Sequence, residues 1–273
     1  MSRRLSALCA AASLALVTAC GGASSGDTDP GTTPADEAVG AGPLIISHRG
    51  GAAVYPEHSL RAYRESAADG YLPEMDLRAL ADGTIVCIHD DTVDRTMTGV
   101  SGKVSDLTLD QWESARVVSP TGGASAAPVT WDEVLDDVAG DVTIVPELKA
   151  SEPEVVAEVV DELVRRKLQD DVIVQSFDWD VVQQVADAGL PALYLFGQDQ
   201  PRPASEILAA GVEYVGPSWK IDPRTITELA DAGLQVVPYT VNDVDVAEDV
   251  LDAGAAGFFT DDPWTIGAAL RER

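Results

Sequence analysis

The chain holds three histidines, all within the span from His48 to His89. Two of them close short apolar runs: Leu44-Ile45-Ile46-Ser47 leads into His48-Arg49-Gly50, and Ile85-Val86-Cys87-Ile88 leads into His89-Asp90. Between them stands Glu74-Met75-Asp76, two carboxylates that point the same way if the run is a strand. Imidazoles and paired carboxylates meeting at strand ends can do acid–base chemistry around a divalent cation. Taken singly, each has a plainer reading. A strand-end histidine can be structural, carboxylates usually face solvent, and Glu147-Leu148-Lys149 can be a surface ion pair worth about 0–1 kcal/mol. Their joint placement at the ends of successive strands favours a catalytic reading.

The elements that position these residues follow from periodicity. Strands are expected near 44–48, 72–80, 142–148, 172–177, 191–196, 212–216, 234–240 and 256–260, with amphipathic helical stretches between them. Val155-Val156, Val159-Val160 and Leu163-Val164 recur at helical spacing, with Glu154, Glu158, Asp161 and Glu162 assigned to the other face. Gly189, Gly211, Gly233 and Gly254 fall where helices should end. This alternation implies an α/β chain folded as a (β/α)8 TIM barrel, with a doubly wound open sheet as the alternative. The second unit departs from the alternation. Asp82-Gly83 signals a hairpin, and a two-residue turn there pairs Asp76 with His89. Residues 90–130 then read as an irregular excursion with a short helix near 108–115, before a helix near 131–138 resumes the barrel.

Residues 1–19 have the layout of a secretory signal: Arg3 and Arg4, then an apolar run from Leu5 to Val17. Leu16-Val17-Thr18-Ala19-Cys20 resembles a bacterial lipobox, so Cys20 is expected to carry a lipid. The apolar run is shorter than the ~20 residues that span a bilayer. Residues 20–42 are rich in Gly, Ser, Thr, Ala, Asp and Pro and read as a lipidated N-terminus with a flexible linker. The 231 residues from Pro43 to Arg273 suit one barrel domain. Within that domain Cys87 is the lone cysteine, which excludes an intradomain disulfide or a cysteine metal site. The formal charge of −28 argues against nucleic acid and anionic lipid as partners. Membrane contact is expected only through the anchor, outside the cytoplasm, and a monomer is expected.

The ordered motifs are specific. His48-Arg49-Gly50, Pro56-Glu57, Glu74-Met75-Asp76, Asp82-Gly83, His89-Asp90 and Asp94-Arg95-Thr96 are followed by Glu147-Leu148-Lys149, Gln175-Ser176-Phe177, Thr240-Val241-Asn242 and Thr260-Asp261. In this order they resemble the glycerophosphodiester phosphodiesterase family over essentially all of 44–263. The resemblance implies a barrel, one divalent cation (calcium or magnesium), and cleavage of glycerophosphodiesters to sn-glycerol 3-phosphate and an alcohol. By position it implies His48 and His89 as the acid–base pair and Glu74, Asp76 and Glu147 as metal ligands. Arg49 and Lys149 are implied to meet the phosphate.

Elementary chemistry agrees, because a phosphodiester's anionic oxygens repel a nucleophile and need an offsetting positive field. All-oxygen ligands suit a hard cation better than zinc. The alternatives are phospholipase-D-like cleavage of lysophospholipid or sphingolipid, and a noncatalytic lipoprotein that binds glycerol phosphates. Three positions depart from the family pattern: His58 and Thr98 stand where asparagine is usual, and Tyr239 where tryptophan is usual. Trp219, late after a strand, is a candidate for the pocket wall or for ordinary packing.

Overall fold

The computed structural model describes residues 42–149, 152–199 and 202–272. The expected signal, Cys20 and all of the linker except Gly42 lie outside the described residues.

Eight parallel strands form the barrel wall: β1 (Leu44–Ser47), β2 (Leu72–Ala79), β6 (Val145–Leu148), β7 (Val174–Ser176), β8 (Ala192–Phe196), β9 (Tyr214–Pro217), β10 (Gln235–Val236) and β11 (Gly257–Thr260). They run in the order β10-β9-β8-β7-β6-β2-β1-β11. The remaining seam is bridged by backbone bonds from Ala256 N–H to Val236 O (2.8 Å), Phe259 N–H to Pro238 O (2.9 Å) and Val241 N–H to Phe259 O (2.7 Å). Strand β10 is short because Pro238 has no N–H to give a ladder. The fold is the expected barrel rather than an open sheet.

Helices follow the strands: α1 (Leu60–Ala68), α4 (Pro153–Arg166), α5 (Trp179–Asp187), α6 (Ala204–Ala209), α7 (Pro223–Asp231), α8 (Val244–Asp252) and α9 (Pro263–Arg271). Their starts are chemically marked. Ser59, Asp178, Asp222, Asp243 and Asp262 each accept a backbone N–H from the first turn. On α4, Val155, Val156, Val159, Val160 and Leu163 are buried as expected, but the two flank residues exchange places. Glu162 is buried, accepting from Arg166 Nε, while Val164 is exposed. The apolar stripe is therefore narrower than the sequence pattern suggests.

Strand alternation sorts the core into two layers. Leu44, Ile46, Leu72, Val145, Ile173, Leu193, Val237 and Phe259 fill the barrel interior. Ile45, Met75, Leu77, Leu148 and Val174 pack outward against the helices. Glu74 and Asp76 share the parity of Leu72, and Glu147 that of Val145. These carboxylates therefore stand inside the barrel, above an apolar plug, toward the C-terminal ends of the strands.

The hairpin after β2 corrects one expectation. Strand β3 (Ile85–Cys87) pairs with β2 as Leu77 with Cys87 and Ala79 with Ile85, so Asp76 does not pair with His89. Instead Ile88 N–H bonds to Asp76 O at 2.9 Å. The turn holds three residues, Ala81-Asp82-Gly83; Gly83 N–H returns to Leu80 O at 3.0 Å, and Gly83 has φ 89. That is a three-residue hairpin loop with glycine in the left-handed region. His89 still reaches the site, because the chain bends out of the strand after Ile88.

The excursion is also more ordered than expected. Strands β4 (Met97–Thr98) and β5 (Arg116–Val117) pair antiparallel, and helix α2 (Leu109–Ser114) lies between them in sequence. Val86, Ile88, Val93, Met97, Val104, Leu107 and Trp112 form a separate apolar core beneath it. Helix α3 (Trp131–Asp137), with Thr130 and Glu133 in a capping box, then leads back to the barrel.

Candidate active site

Strand register builds the centre of the site. Asp76 is the direct partner of Glu147 across β2 and β6, and Glu147 the partner of Gln175 across β6 and β7. Glu74 lies one step deeper on β2. Ligand atoms of Glu74, Asp76 and Glu147 all lie within 4.8 Å of one another, and all three residues are buried. At that spacing each ionised pair repels by about 3–4 kcal/mol at an effective dielectric near 20. The local partners offset this unequally. Lys149 Nζ lies 2.6 Å from Asp76 Oδ1 and also contacts Glu147. Glu74 has the backbone N–H of Arg49 at 2.6 Å and Gln175 Nε2 at 3.3 Å.

Acidity follows these partners. Burial and the neighbouring Asp76 raise Glu74 well above the usual carboxylate range. Burial and Asp76 likewise raise Glu147 to about 7, against the opposing pull of Lys149. Burial would raise Asp76 too, but the His58 hydrogen bond and the Lys149 charge hold it well below its ordinary value. Burial works against the ammonium of Lys149, yet Asp76 and Glu147 raise it overall. The site thus crowds three carboxylates with fewer cations than would keep all of them ionised, and Gln175 Oε1 is buried there without a hydrogen-bond donor. A donor set made only of oxygens fits a calcium or magnesium ion.

The two expected acid–base histidines share one design. His48 opens a short turn after β1, and its Nδ1 lies 2.6 Å from Asp261 Oδ1. Asp261 is held in turn by Asn242: Nδ2 donates to Asp261 Oδ2 at 2.6 Å, while Asn242 Oδ1 accepts Asp261 N–H at 2.8 Å. His89 Nδ1 lies 2.8 Å from Asp90 Oδ1, and Arg95 Nε donates to Asp90 Oδ2 at 2.6 Å. The Arg95 hydrogen bond is the main cause that brings Asp90 down to about 2. Burial lowers His89 below its ordinary value, against the pull of Asp76 and Asp90. Each carboxylate occupies Nδ1 of its imidazole, and both imidazoles line one cavity.

That cavity, of about 190 Å³, is lined by His48, Arg49, Glu74, His89, Glu147, Gln175, Phe177, Tyr239 and Thr240, among others. Asp76 sits behind this wall, and Lys149 lines an adjoining hollow with Glu147 and Phe177. Trp219 is not among the lining residues; it is part-exposed, with Lys220 above its ring.

The comparisons with known proteins point one way. The sequence model of the Glycerophosphoryl diester phosphodiesterase family matches residues 48–265. The chain belongs to this family. It is a phosphoric diester hydrolase of the glycerophosphodiester phosphodiesterase type. The YqiK protein of Bacillus subtilis is 30% identical over 243 residues, covering 83% of this chain and 98% of that one. A glycerophosphodiester phosphodiesterase of Caldanaerobacter subterraneus is 28% identical over 245 residues, covering 84% and 98%. Among solved structures, an Oleispira antarctica phosphodiesterase in complex with sn-glycerol-3-phosphate superposes with TM-score 0.74 at 23% identity, covering 84% of this chain and 97% of that one. The glycerophosphodiester phosphodiesterase of Thermotoga maritima superposes with TM-score 0.69 at 21% identity, covering 86% and 100%. At these identities the two structures bear on the fold alone.

In this family member, then, the structure brings together all seven residues singled out for chemistry, with Asp76 and Lys149 set behind the main cavity wall. Arg49 serves three neighbours at once. Its backbone holds Glu74, and its guanidinium lies 3.5 Å from Glu57 and 3.7 Å from Asp76. It does so from the left-handed region, at φ 53, as does His58, also at φ 53. Such conformations cost about 1–3 kcal/mol each and persist where surrounding structure demands them.

Sequence reasoning left several partners without roles. Asp90 adjoins His89 and was visible as a motif. Asp261 and Asn242 lie in recognisable motifs, but their link to His48 joins the last strands of the barrel to the first and carries no local signal. His58, buried against Tyr63 and Asp76, was marked only as a departure from the family pattern.

Proposed function

We propose that the enzyme hydrolyses small, water-soluble glycerophosphodiesters to sn-glycerol 3-phosphate and an alcohol, with His48 and His89 as its acid–base pair. One observation carries this reading: two imidazoles, each anchored at Nδ1 by a carboxylate, line the same cavity as Glu74 and Glu147.

With Nδ1–H donated to Asp261, the neutral His48 ring keeps its lone pair on Nε2, the state of a general base. It takes a proton from the attacking hydroxyl as the new P–O bond forms, whether that is water itself or the glycerol 2-hydroxyl, whose cyclic phosphate water then opens. His89 supplies a proton to the departing alkoxide as the old P–O bond breaks; Asp76 and Asp90 favour its protonated form against the burial that lowers its pKa. Arg49 and Lys149 offset charge on the phosphoryl oxygens. Glu74, Asp76 and Glu147 would hold the divalent cation, calcium or magnesium, which polarises a phosphoryl oxygen and balances its charge.

The cavity, of about 190 Å³, is of a size for a glycerol phosphate unit, which supports a small deacylated diester as substrate. The formal charge of −28 also disfavours approach to anionic lipid. We place the enzyme outside the cytoplasm, tethered through a lipid on Cys20; the support is the sequence layout of residues 1–20.

The test is release of glycerol 3-phosphate from glycerophosphocholine and glycerophosphoethanolamine, with calcium or magnesium added to chelator-treated enzyme. Lysophosphatidylcholine at equal concentration is the comparison. Absence of turnover on every deacylated diester with either ion would refute the reading, and faster turnover of the acylated lipid would favour the phospholipase-D-like alternative.

A further inference from the structure

His58 is the histidine that the acid–base scheme does not use. It is 2% exposed, and Asp76 is 1% exposed. Its Nε2 lies 3.1 Å from Asp76 Oδ2, and its Nδ1 lies 2.8 Å from the Tyr63 hydroxyl. Tyr63 is fully buried. The backbone at His58 is left-handed, and its N–H is tied to Arg49 O at 3.0 Å. An ordinary core side chain needs neither that conformation nor polar partners on both ring nitrogens.

We infer that His58 is a positioning residue that orients the cation-binding carboxylate Asp76 through a fixed Nε2–H tautomer. The inference rests on the proposal that Asp76 is a cation ligand. An ionised carboxylate can only accept, so Nε2 must carry the proton. The Tyr63 hydroxyl stands at Nδ1 on the other side of the ring, where it can donate. The consequence for Asp76 is directional. His58 takes Oδ2, which turns Oδ1 toward Glu147, the side on which Lys149 already bridges the two carboxylates. Hydrogen-bonding partners behind the ligands of metal sites act in this way, fixing the direction of the ligand lone pairs. Their loss typically costs about 10- to 100-fold in metal affinity.

The test has two arms. In the first, ring-¹⁵N histidine labelling of the full chain gives signals from only three imidazoles; His58 should show a protonated Nε2 and a bare Nδ1. A ring protonated at Nδ1 and bare at Nε2 would overturn the inference without touching the cation assignment. In the second arm, calcium and magnesium affinity is measured by titration calorimetry. His58→Leu, which fills the space without a donor, should bind the ion about 10- to 100-fold more weakly. His58→Gln, whose amide nitrogen reaches about as far as Nε2, should recover most of that loss. Circular dichroism on both variants separates misfolding from lost orientation, and if Leu does not fold, the comparison of Gln with His58→Asn decides. Asparagine tolerates the left-handed backbone but is too short to place its amide at Nε2. Wild-type affinity in His58→Leu, or in Asn when Leu does not fold, would overturn the inference. No cation binding by the wild type would instead overturn the cation site on which it rests.

Discussion

Asp261→Asn tests the base assignment most directly, because the local hydrogen bonds leave the new amide no good orientation. Asn242 Oδ1 accepts from Asp261 N–H and from Thr260 Oγ1, so Asn242 Nδ2 must face the outer oxygen of residue 261. If the new amide places its NH₂ there, two donors face each other. If it places its NH₂ toward His48, Nδ1–H loses its acceptor and the ring shifts its proton to Nε2, where the base needs a lone pair. A hydrogen bond to a charged group is worth about 1.5–3 kcal/mol. At 1.36 kcal/mol per decade this predicts a fall in kcat of about 10- to 150-fold. Because both side chains keep some solvent access, 20% for His48 and 28% for Asp261, the lower half of that range is expected. His48→Ala should cost more, about 10²- to 10⁴-fold. The assay is steady-state release of glycerol 3-phosphate from glycerophosphocholine at saturating cation. Since Asp261 acts through His48, the double variant should be no worse than His48→Ala alone. Unchanged kcat in Asp261→Asn, or a double variant slower by the product of the single effects, would refute the reasoning.

Three further outcomes are expected. Gly50→Ala should lower Tm by roughly 5–15 °C in thermal unfolding, from about 2–4 °C per kcal/mol in a domain of this size. At φ 79 its new Cβ would sit 2.7 Å from Ala62 Cβ and 3.0 Å from the Tyr63 ring; a Tm within 1–2 °C of wild type would mean the turn is softer than described. Asp90→Asn should move the alkaline limb of the kcat profile to lower pH. The carboxylate raises the pKa of His89, and without it the acid loses its proton sooner; an unmoved or higher limb would count against His89 as the acid. By linkage, Asp90 contributes stability above its unfolded pKa of about 3.9 that is lost as pH falls through its folded value of about 2. Cys20→Ser should release the enzyme into the medium with activity on soluble diesters nearly unchanged, since a 22-residue linker spans only about 25 Å and sets location alone. Retention of that variant on membranes would refute the anchor.

The sequence by itself determined the architecture and the chemical inventory, because both are written in local patterns. Two-residue and 3.6-residue periodicities place the barrel strands and the helices between them. His48, Glu74, Asp76, His89 and Glu147 announce themselves by standing at or near the ends of those strands, where a barrel gathers its side chains. The pairing of Glu74 with Asp76 on one face needs nothing beyond the alternation of a strand.

What the tertiary structure decided is everything that depends on which distant residue faces which. The Asp82-Gly83 signal announced a hairpin but not its loop length, and one extra residue moved the register by one. The excursion looked irregular because its core is assembled from short segments, none long enough to show a period. Asp261 reaches His48 only because the barrel closes between β11 and β1. His58 reaches Asp76 only because a left-handed turn carries it beneath β2. A side chain's type can be read from the chain, but its tautomer, protonation and direction are set by neighbours that only folding brings within 3 Å.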